Sequence, residues 1–309
     1  MKRLIIMLLL LAFLAGCATG KPVREISDET LAAGTREIKK GVAWYQKGCY
    51  ERAMENFFKA HELFSASDQL NGVAQSLNNI GNVYRISGDT SSAVLFFEES
   101  YGLFADMDND PGTLSALSNK AAALIDGEKL TEAEKALNIA AGLVKKTPGP
   151  FVPLLNNWGV LYTKKKDYLR AEETLNAALA HTDPLNFSES ASVNFAMGNL
   201  MLEKERFQQA ADHFQTALAA DKSAGFHKGI ADDLAAMGAT NLRQDRTAPA
   251  VKFFKRAVKI YALIGNTGKV REIMARLDQV SGKAGVDIQV IRHFVKNWQE
   301  GKILVAPCN

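Results

Sequence analysis

Amide side chains stand in pairs at two places in this chain, Asn78 and Asn79 within QSLNNIGNVY and Asn156 and Asn157 within LLNNWGVLY. Each pair precedes an apolar residue, a glycine and, three residues after the glycine, a tyrosine. Asparagine is a mediocre helix former whose side chain competes with the backbone, so an amide pair inside a helical pattern implies a use beyond the helix. The chemistry an amide offers is recognition: one acceptor and two donors match the mixed pattern of a peptide main chain without demanding charge. Residues suited to bond-making are arranged less suggestively. His61, His181, His213, His227 and His293 show no metal-binding spacing, such as two ligands four apart on one helix face. No glycine-rich phosphate loop follows a strand pattern. The residue types therefore argue for binding rather than catalysis, with no metal or cofactor site expected.

Three cysteines divide into one at the start and two far apart. The opening MKRLIIMLLLLAFLAGC has a basic start and an apolar run from Leu4 to Ala15, short of the roughly 20 residues that span a bilayer. Residues 1–16 read as an export signal, and LAGC resembles the lipobox that directs cleavage before a lipid-bearing cysteine. That resemblance implies acylation of Cys17 (palmitate-type chains) and a tether over residues 17–28. Each buried methylene contributes about 0.8 kcal/mol, so two or three chains make a lasting anchor. Ala18, rather than Asp, resembles the sorting state of lipoproteins sent to the outer membrane. The expected location is its periplasmic face, or the outer face of the plasma membrane in a cell with one membrane. Such a compartment permits a disulfide between Cys49 and Cys308. They lie near opposite ends of the chain, so free thiols or a contact between chains are favoured over an intramolecular bridge. A catalytic Cys49 finds no histidine partner by spacing.

With residues 1–16 removed the chain loses Lys2 and Arg3 and no acid, so its net charge falls from +3 to +1. Nucleic-acid binding, which draws on clustered Lys and Arg, is disfavoured. The run Lys164, Lys165, Lys166 reads as a solvated turn.

The elements that would position the amides repeat at a fixed interval. Gly41, Gly81, Ala121, Gly159, Gly198 and Gly238 are separated by 40, 40, 38, 39 and 40 residues. Twelve residues after each stands an alanine: Ala53, Ala93, Ala133, Ala171, Ala210 and Ala250. Phe57, Phe97, Leu137, Leu175, Phe214 and Phe254 follow, then Ala60, Ser100, Ala140, Ala178, Ala217 and Ala257. Small residues at matched heights let two helices approach closely, and the large residue between them fills the gap to the next unit. Breaks at SGDTSS, NDPG, TPGPFVP and HTDP fall where hairpins need turns. Pro111 and Pro184 each follow an aspartate and read as first-turn prolines after a cap.

These residues resemble the tetratricopeptide repeat family over about residues 34–265. The usual unit has 34 residues, whereas these run near 40, with an upstream extension in GVAQSLNNIG, GTLSALSNKA and GIADDLAAMG. That looks like the longer-helix subtype of kinesin light chains and related scaffolds. Met201 and Asn241 stand where Tyr is usual, so the fifth and sixth units are expected to pack less regularly. The resemblance implies an all-α, right-handed α-solenoid of about six hairpins over residues 29–265. Capping helices follow over 266–299, with a tail at 300–309. TGKVREIMARLDQV supplies one cap with Val270, Ile273, Leu277 and Val280 on a stripe. DIQVIRHFVKNW aligns Ile288, Ile291, Phe294, Val295 and Trp298 and is expected to pack on the stack, with dimerisation as its other reading.

The family's groove positions transfer residue by residue. Asn79, Asn119 and Asn157 stand two before the small residue, and Asn82 and Asn199 one after it; Asn78 and Asn156 lie round the helix along the groove wall. Ile38, Phe195 and Leu242 are apolar anchor candidates, and Arg85, Asp126, Lys164, Glu203 and Arg243 the charged groove positions. The two-lysine clamp for a peptide carboxylate is not matched. The amides have a second reading, fixing one first helix against its neighbour. The resemblance thus implies an adaptor taking a protein or extended peptide in its groove and assisting an envelope machine of pilus, secretin or cell-wall-enzyme type. The alternative is a self-associating structural lipoprotein.

Overall fold

A computed structural model describes residues 23–144, 149–303 and 308, with side chains from residue 29. Among the described residues every regular element is a helix. Six hairpins follow in order: α1 (Val23–Gln46) with α2 (Tyr50–Ala66), α3 (Leu70–Ile86) with α4 (Thr90–Asp106), and α5 (Asp110–Asp126) with α6 (Leu130–Val144). Then come α7 (Val152–Lys164) with α8 (Tyr168–His181), α9 (Phe187–Glu203) with α10 (Phe207–Ala224), and α11 (His227–Arg243) with α12 (Thr247–Leu263). Two further helices close the array, α13 (Thr267–Ser281) and α14 (Gln289–Gln299). Helix α1 begins at Val23, so the chain is already helical within the segment expected as tether.

The period has a simple origin. Seven helices have 17 residues each, and most linkers add three, so a helix and its turn repeat every 20 residues. The middle linker residue is left-handed at Gly48, Asp68, Gly88, Asp108, Glu128, Lys166, Glu205, Asp245 and Gly265. The following N–H then reaches back five residues, as Cys49 N–H does to Trp44 O (2.9 Å) and Lys129 N–H to Leu124 O (2.8 Å), closing each helix C-terminus. The next helix is capped at once in several places: Asp89 accepts from Ser92 N–H at 3.0 Å and Asn109 from Gly112 N–H at 3.0 Å. Thus Asn109 is the cap before Pro111. Pro184 departs from expectation: α9 starts at Phe187 under an Asn186 cap, and the proline sits in the preceding turn.

The small-large-small code is buried throughout. All six alanines of the first set are 0% exposed, and the six large residues after them 0–1%. Close approach explains the glycines: a Cβ on Gly41 would lie 2.4 Å from the Phe57 ring, and one on Gly238 2.6 Å from Phe254. Hairpins five and six share this contact, so the expected irregularity is absent. Met201 packs into the core, and Asn241 meets its own helix through Nδ2–H donation to Met237 O (2.8 Å).

Val270, Ile273, Leu277 and Val280 of α13 are buried, as are Ile288, Ile291 and Val295 around α14. The last helix therefore packs on the stack, leaving Val290 and Phe294 outside. No helix among the described residues is long and apolar enough to cross a membrane.

The rotation per hairpin brings the array round on itself. Tyr45 stacks on Phe226 with ring centroids 5.9 Å apart, and His227 Nδ1 lies 3.1 Å from Lys47 O. Cys49 and Cys308, 259 positions apart, form a disulfide with Cα atoms at 5.3 Å. This corrects the expectation of free or interchain thiols. Distance along the sequence ceased to measure distance in space once superhelical rotation had accumulated over six units.

Candidate functional site

The first helices of successive hairpins line the concave side, where two depressions lie towards opposite ends. One, of about 540 Å³, is formed by α1, α3 and α5. Its polar lining is Thr35, Asn71, Gln75, Asn78, Asn79, Asn109 and Ser115, beside Leu31, Phe64 and Phe104, with no charged side chain. Asn71 and Gln75 come from the first and second turns of α3, and Ser115 from the second turn of α5. Within it Asn109 Nδ2–H donates to Asn71 Oδ1 (3.2 Å), and Asn119, outside the lining, donates through Nδ2–H to Asn78 Oδ1 (3.1 Å). The amide N–H groups of Asn78 remain for a ligand. Asn79 and Asn82, both half-buried, form no hydrogen bond to another described residue.

The second depression, of about 360 Å³, lies between α9, α11 and α13 and is charged. Lys228 pairs with Asp232 at 2.6 Å, and Lys269 and Arg276 with Glu272 at 2.8 and 3.3 Å. Tyr261 O–H donates to Asp232 Oδ1 (2.5 Å). Burial, reinforced by Asp232, raises the Tyr261 hydroxyl far above its ordinary value, so it remains a donor. Phe195 and Asn199 border this floor, with Phe195 tilted against Phe214 at 5.6 Å.

The sequence-nominated residues thus divide. Asn78 and Asn79 share the neutral depression, and Phe195 and Asn199 the charged one. Asn157 Nδ2–H donates to Ser118 O (2.8 Å) and Asn156 Nδ2–H to Ser192 Oγ (3.1 Å), so these two fasten α7 to α5 and α9. Asn156 is 9% exposed, too enclosed to meet a ligand. Ile38 is corrected outright: at 6% exposure it belongs to the core under Phe57 and Phe64, because its stripe turns inward on α1. Leu242 packs half-buried against the core of the last hairpins. Arg85 pairs with Asp126 (3.1 Å), Lys164 with Glu128 (2.5 Å) and Arg243 with Glu205 (3.1 Å), making bridges between neighbouring hairpins. Cys17 lies outside the described residues.

Beneath the charged depression is a pair that spacing could have revealed. Asp221 stands 23 residues after Gly198, where Gly41, Gly81 and Gly238 are followed by Phe64, Phe104 and Tyr261. An acid thus occupies an aromatic slot. Its Oδ2 fills the space at Gly229, where a Cβ would fall 1.9 Å away. Asp233, fully buried, faces it, and neither Asp233 oxygen receives a hydrogen bond from an N–H or hydroxyl. Burial first, and then the mutual charge, pushes the Asp233 carboxyl well up, and burial raises Asp221. A proton shared between the two satisfies both. Among the described residues no group of three or more His, Cys, Asp or Glu is placed to hold a metal ion.

This helical-hairpin solenoid with a polar concave face is of the protein-interaction scaffold type. Family models described as tetratricopeptide repeat match residues 74–106, 151–223 and 188–262. No curated protein sequence matches the chain. Among solved structures, the Rap conjugation gene regulator of the plasmid pLS20, in complex with a Phr peptide, superposes with a TM-score of 0.62 at 15% identity, covering 93% of this chain and 79% of that one. BtubC from P. vanneervenii (TM-score 0.49, 14% identity, 77% and 92% covered) and PilF of Pseudomonas aeruginosa (0.43, 16%, 76% and 97%) are looser matches. At these identities the likeness defines the fold alone.

Proposed function

We propose that the protein is a lipid-anchored envelope adaptor that holds an extended, uncharged stretch of another protein against the concave faces of α1, α3 and α5. The observation that carries this reading is the charge-free, amide-lined depression, in which Asn79 is unused by the fold, as is Asn82 one turn further along α3 outside its lining. A peptide main chain alternates donors and acceptors, and amides answer both without reading a side-chain sequence. Each such bond nets about 0.5–1.5 kcal/mol, against about 8.2 for micromolar binding, so apolar contact with exposed groups such as Leu31 must supply the rest. The peptide in the Rap regulator complex supports this mode by analogy. The N-terminal LAGC pattern and the Cys49–Cys308 bridge support export and anchoring at the periplasmic face of an outer membrane, where the partner belongs to a pilus, secretin or cell-wall-enzyme assembly.

Crosslinking in intact cells followed by affinity capture tests the groove. Asn79→Ala with Asn82→Ala is expected to cut partner recovery at least about fivefold, since about 1 kcal/mol per lost bond compounds. Equal recovery sinks the reading. For the anchor, Cys17→Ser is expected to abolish metabolic palmitate labelling and release the chain from membranes.

A second reading, self-association, draws on Val290 (67% exposed) and Phe294 (44%) side by side on α14. Light scattering of Phe294→Glu beside the unaltered protein decides it: a dimer that becomes monomeric favours it, and a monomer in both removes it.

A further inference from the structure

The bridge between Cys49 and Cys308 sits where the two ends of the solenoid meet, and it is the covalent link among a few non-covalent contacts there. Across that seam run the Tyr45–Phe226 stack, the contact of His227 Nδ1 with Lys47 O, and the packing of Gly48 on Ile264. Tyr45 lies in the last turn of α1, Lys47 and Gly48 in the linker after it, and Tyr50, which opens α2, is buried close enough to Asp232 to feel its charge. The seam borders the charged depression: Lys228, which lines it, directly follows His227, and Asp232, also in the lining, stands one helical turn further along α11.

We propose that Cys49–Cys308 is a thiol–disulfide exchange site, and that a dithiol reductant acting there opens the seam between the first and sixth hairpins. The two sulfurs are unequally reachable. Cys49 is 3% exposed, enclosed in the left-handed turn at Gly48, whereas Cys308 is only half-buried. A thiolate of the dithiol attacks Cys308 Sγ; the Sγ–Sγ bond breaks and its electron pair leaves on Cys49, which takes up a proton. The second thiol then attacks its own sulfur in the mixed disulfide, freeing Cys308. The dithiol becomes a cyclic disulfide, having delivered two electrons and two protons. Once cut, only non-covalent contacts remain across the seam: the ring stack, the hydrogen bond, the packing of Gly48 on Ile264 and the burial of Tyr50 near Asp232. The turn then separates from α11, and the end of the groove widens. The closed and open forms differ in how much chain the concave face can admit, whatever that chain is.

The experiment uses the full chain. Peptide mapping without reductant is expected to find Cys49 joined to Cys308 in one molecule. Free thiols or a crosslinked dimer would overturn the proposal. Hydrogen exchange and small-angle scattering are then compared for the oxidised protein, the protein in dithiothreitol, and Cys308→Ser, a substitution outside the packed core. Both reduced wild type and the variant are expected to exchange about tenfold faster over 44–50 and 226–232, with hairpins two to four unchanged and a larger radius of gyration. Identical exchange and radius in all three sink the latch. Brief exposure to glutathione is expected to place the adduct on Cys308; an adduct on Cys49 overturns the assigned direction of attack.

Discussion

At the scale of single residues, the amides separate by what already satisfies them. Asn157 is spent on Ser118 O, so Asn157→Ala is expected to lower stability by about 1 kcal/mol in a denaturant titration. Asn79 bonds to nothing described, so Asn79→Ala is expected to leave the midpoint within about 0.5 kcal/mol while partner capture falls. The carboxyl pair makes a prediction about pH. Both groups titrate higher in the folded protein than in the unfolded chain, so the native state binds the extra proton. Their contribution is therefore fully present below the ordinary carboxylate range and is lost as pH rises through neutrality. Asp233→Asn keeps the shape and lets an amide donate to Asp221. Thermal unfolding from about pH 5 to about pH 9 should show the variant gaining on the natural protein with rising pH, by about 1–3 kcal/mol at the alkaline end. Lys228, Asp232 and Tyr261 surround the pair and remain in place, so their bonds do not supply the difference.

At the scale of helices and turns, the left-handed linker residues carry a cost that differs along the chain. Gly88 bears φ +84° without penalty, but Lys166 holds +61° with a side chain. Lys166→Gly is expected to stabilise by about 0.5–1 kcal/mol, less than the full relief because glycine also loosens the unfolded chain. Gly88→Ala should cost about 1 kcal/mol or more, and the two urea midpoints should shift in opposite directions. In the core, Phe214→Ala is expected to cost about 3–5 kcal/mol because Gly198 packs directly on that ring. Helices and core were legible beforehand because spacing alone specifies them: an alanine 12 residues after each small residue can face only one way in a hairpin. Caps were less so. Pro184 reads as a helix start until Asn186, two residues later, takes that role. The concave site was half legible. Asn79 and Phe195 follow from register, whereas Ile38 shares that register yet is buried with Phe57 and Phe64, because its stripe on α1 turns into the core.

At the scale of the whole molecule, closure was invisible in sequence because it depends on a small rotation summed over six hairpins. No pair of residues encodes that sum. Its thermodynamic weight is measurable: closing a loop of 259 residues removes unfolded-chain entropy worth about 5.6 kcal/mol in the simplest chain model. Reduction is accordingly expected to lower the midpoint of thermal unfolding by several degrees, with a broader transition as end hairpins fray separately from the middle.

Repeat arrays ordinarily grow and shrink by whole units, since each hairpin needs only its neighbours. Here the count is metered. Deleting or duplicating one 40-residue module would leave every remaining interface intact and still carry Cys308 past or short of Cys49 by one step of the spiral. Six hairpins and two closing helices form the length that lets the chain bite its own beginning, so the bridge acts as a gauge of module number.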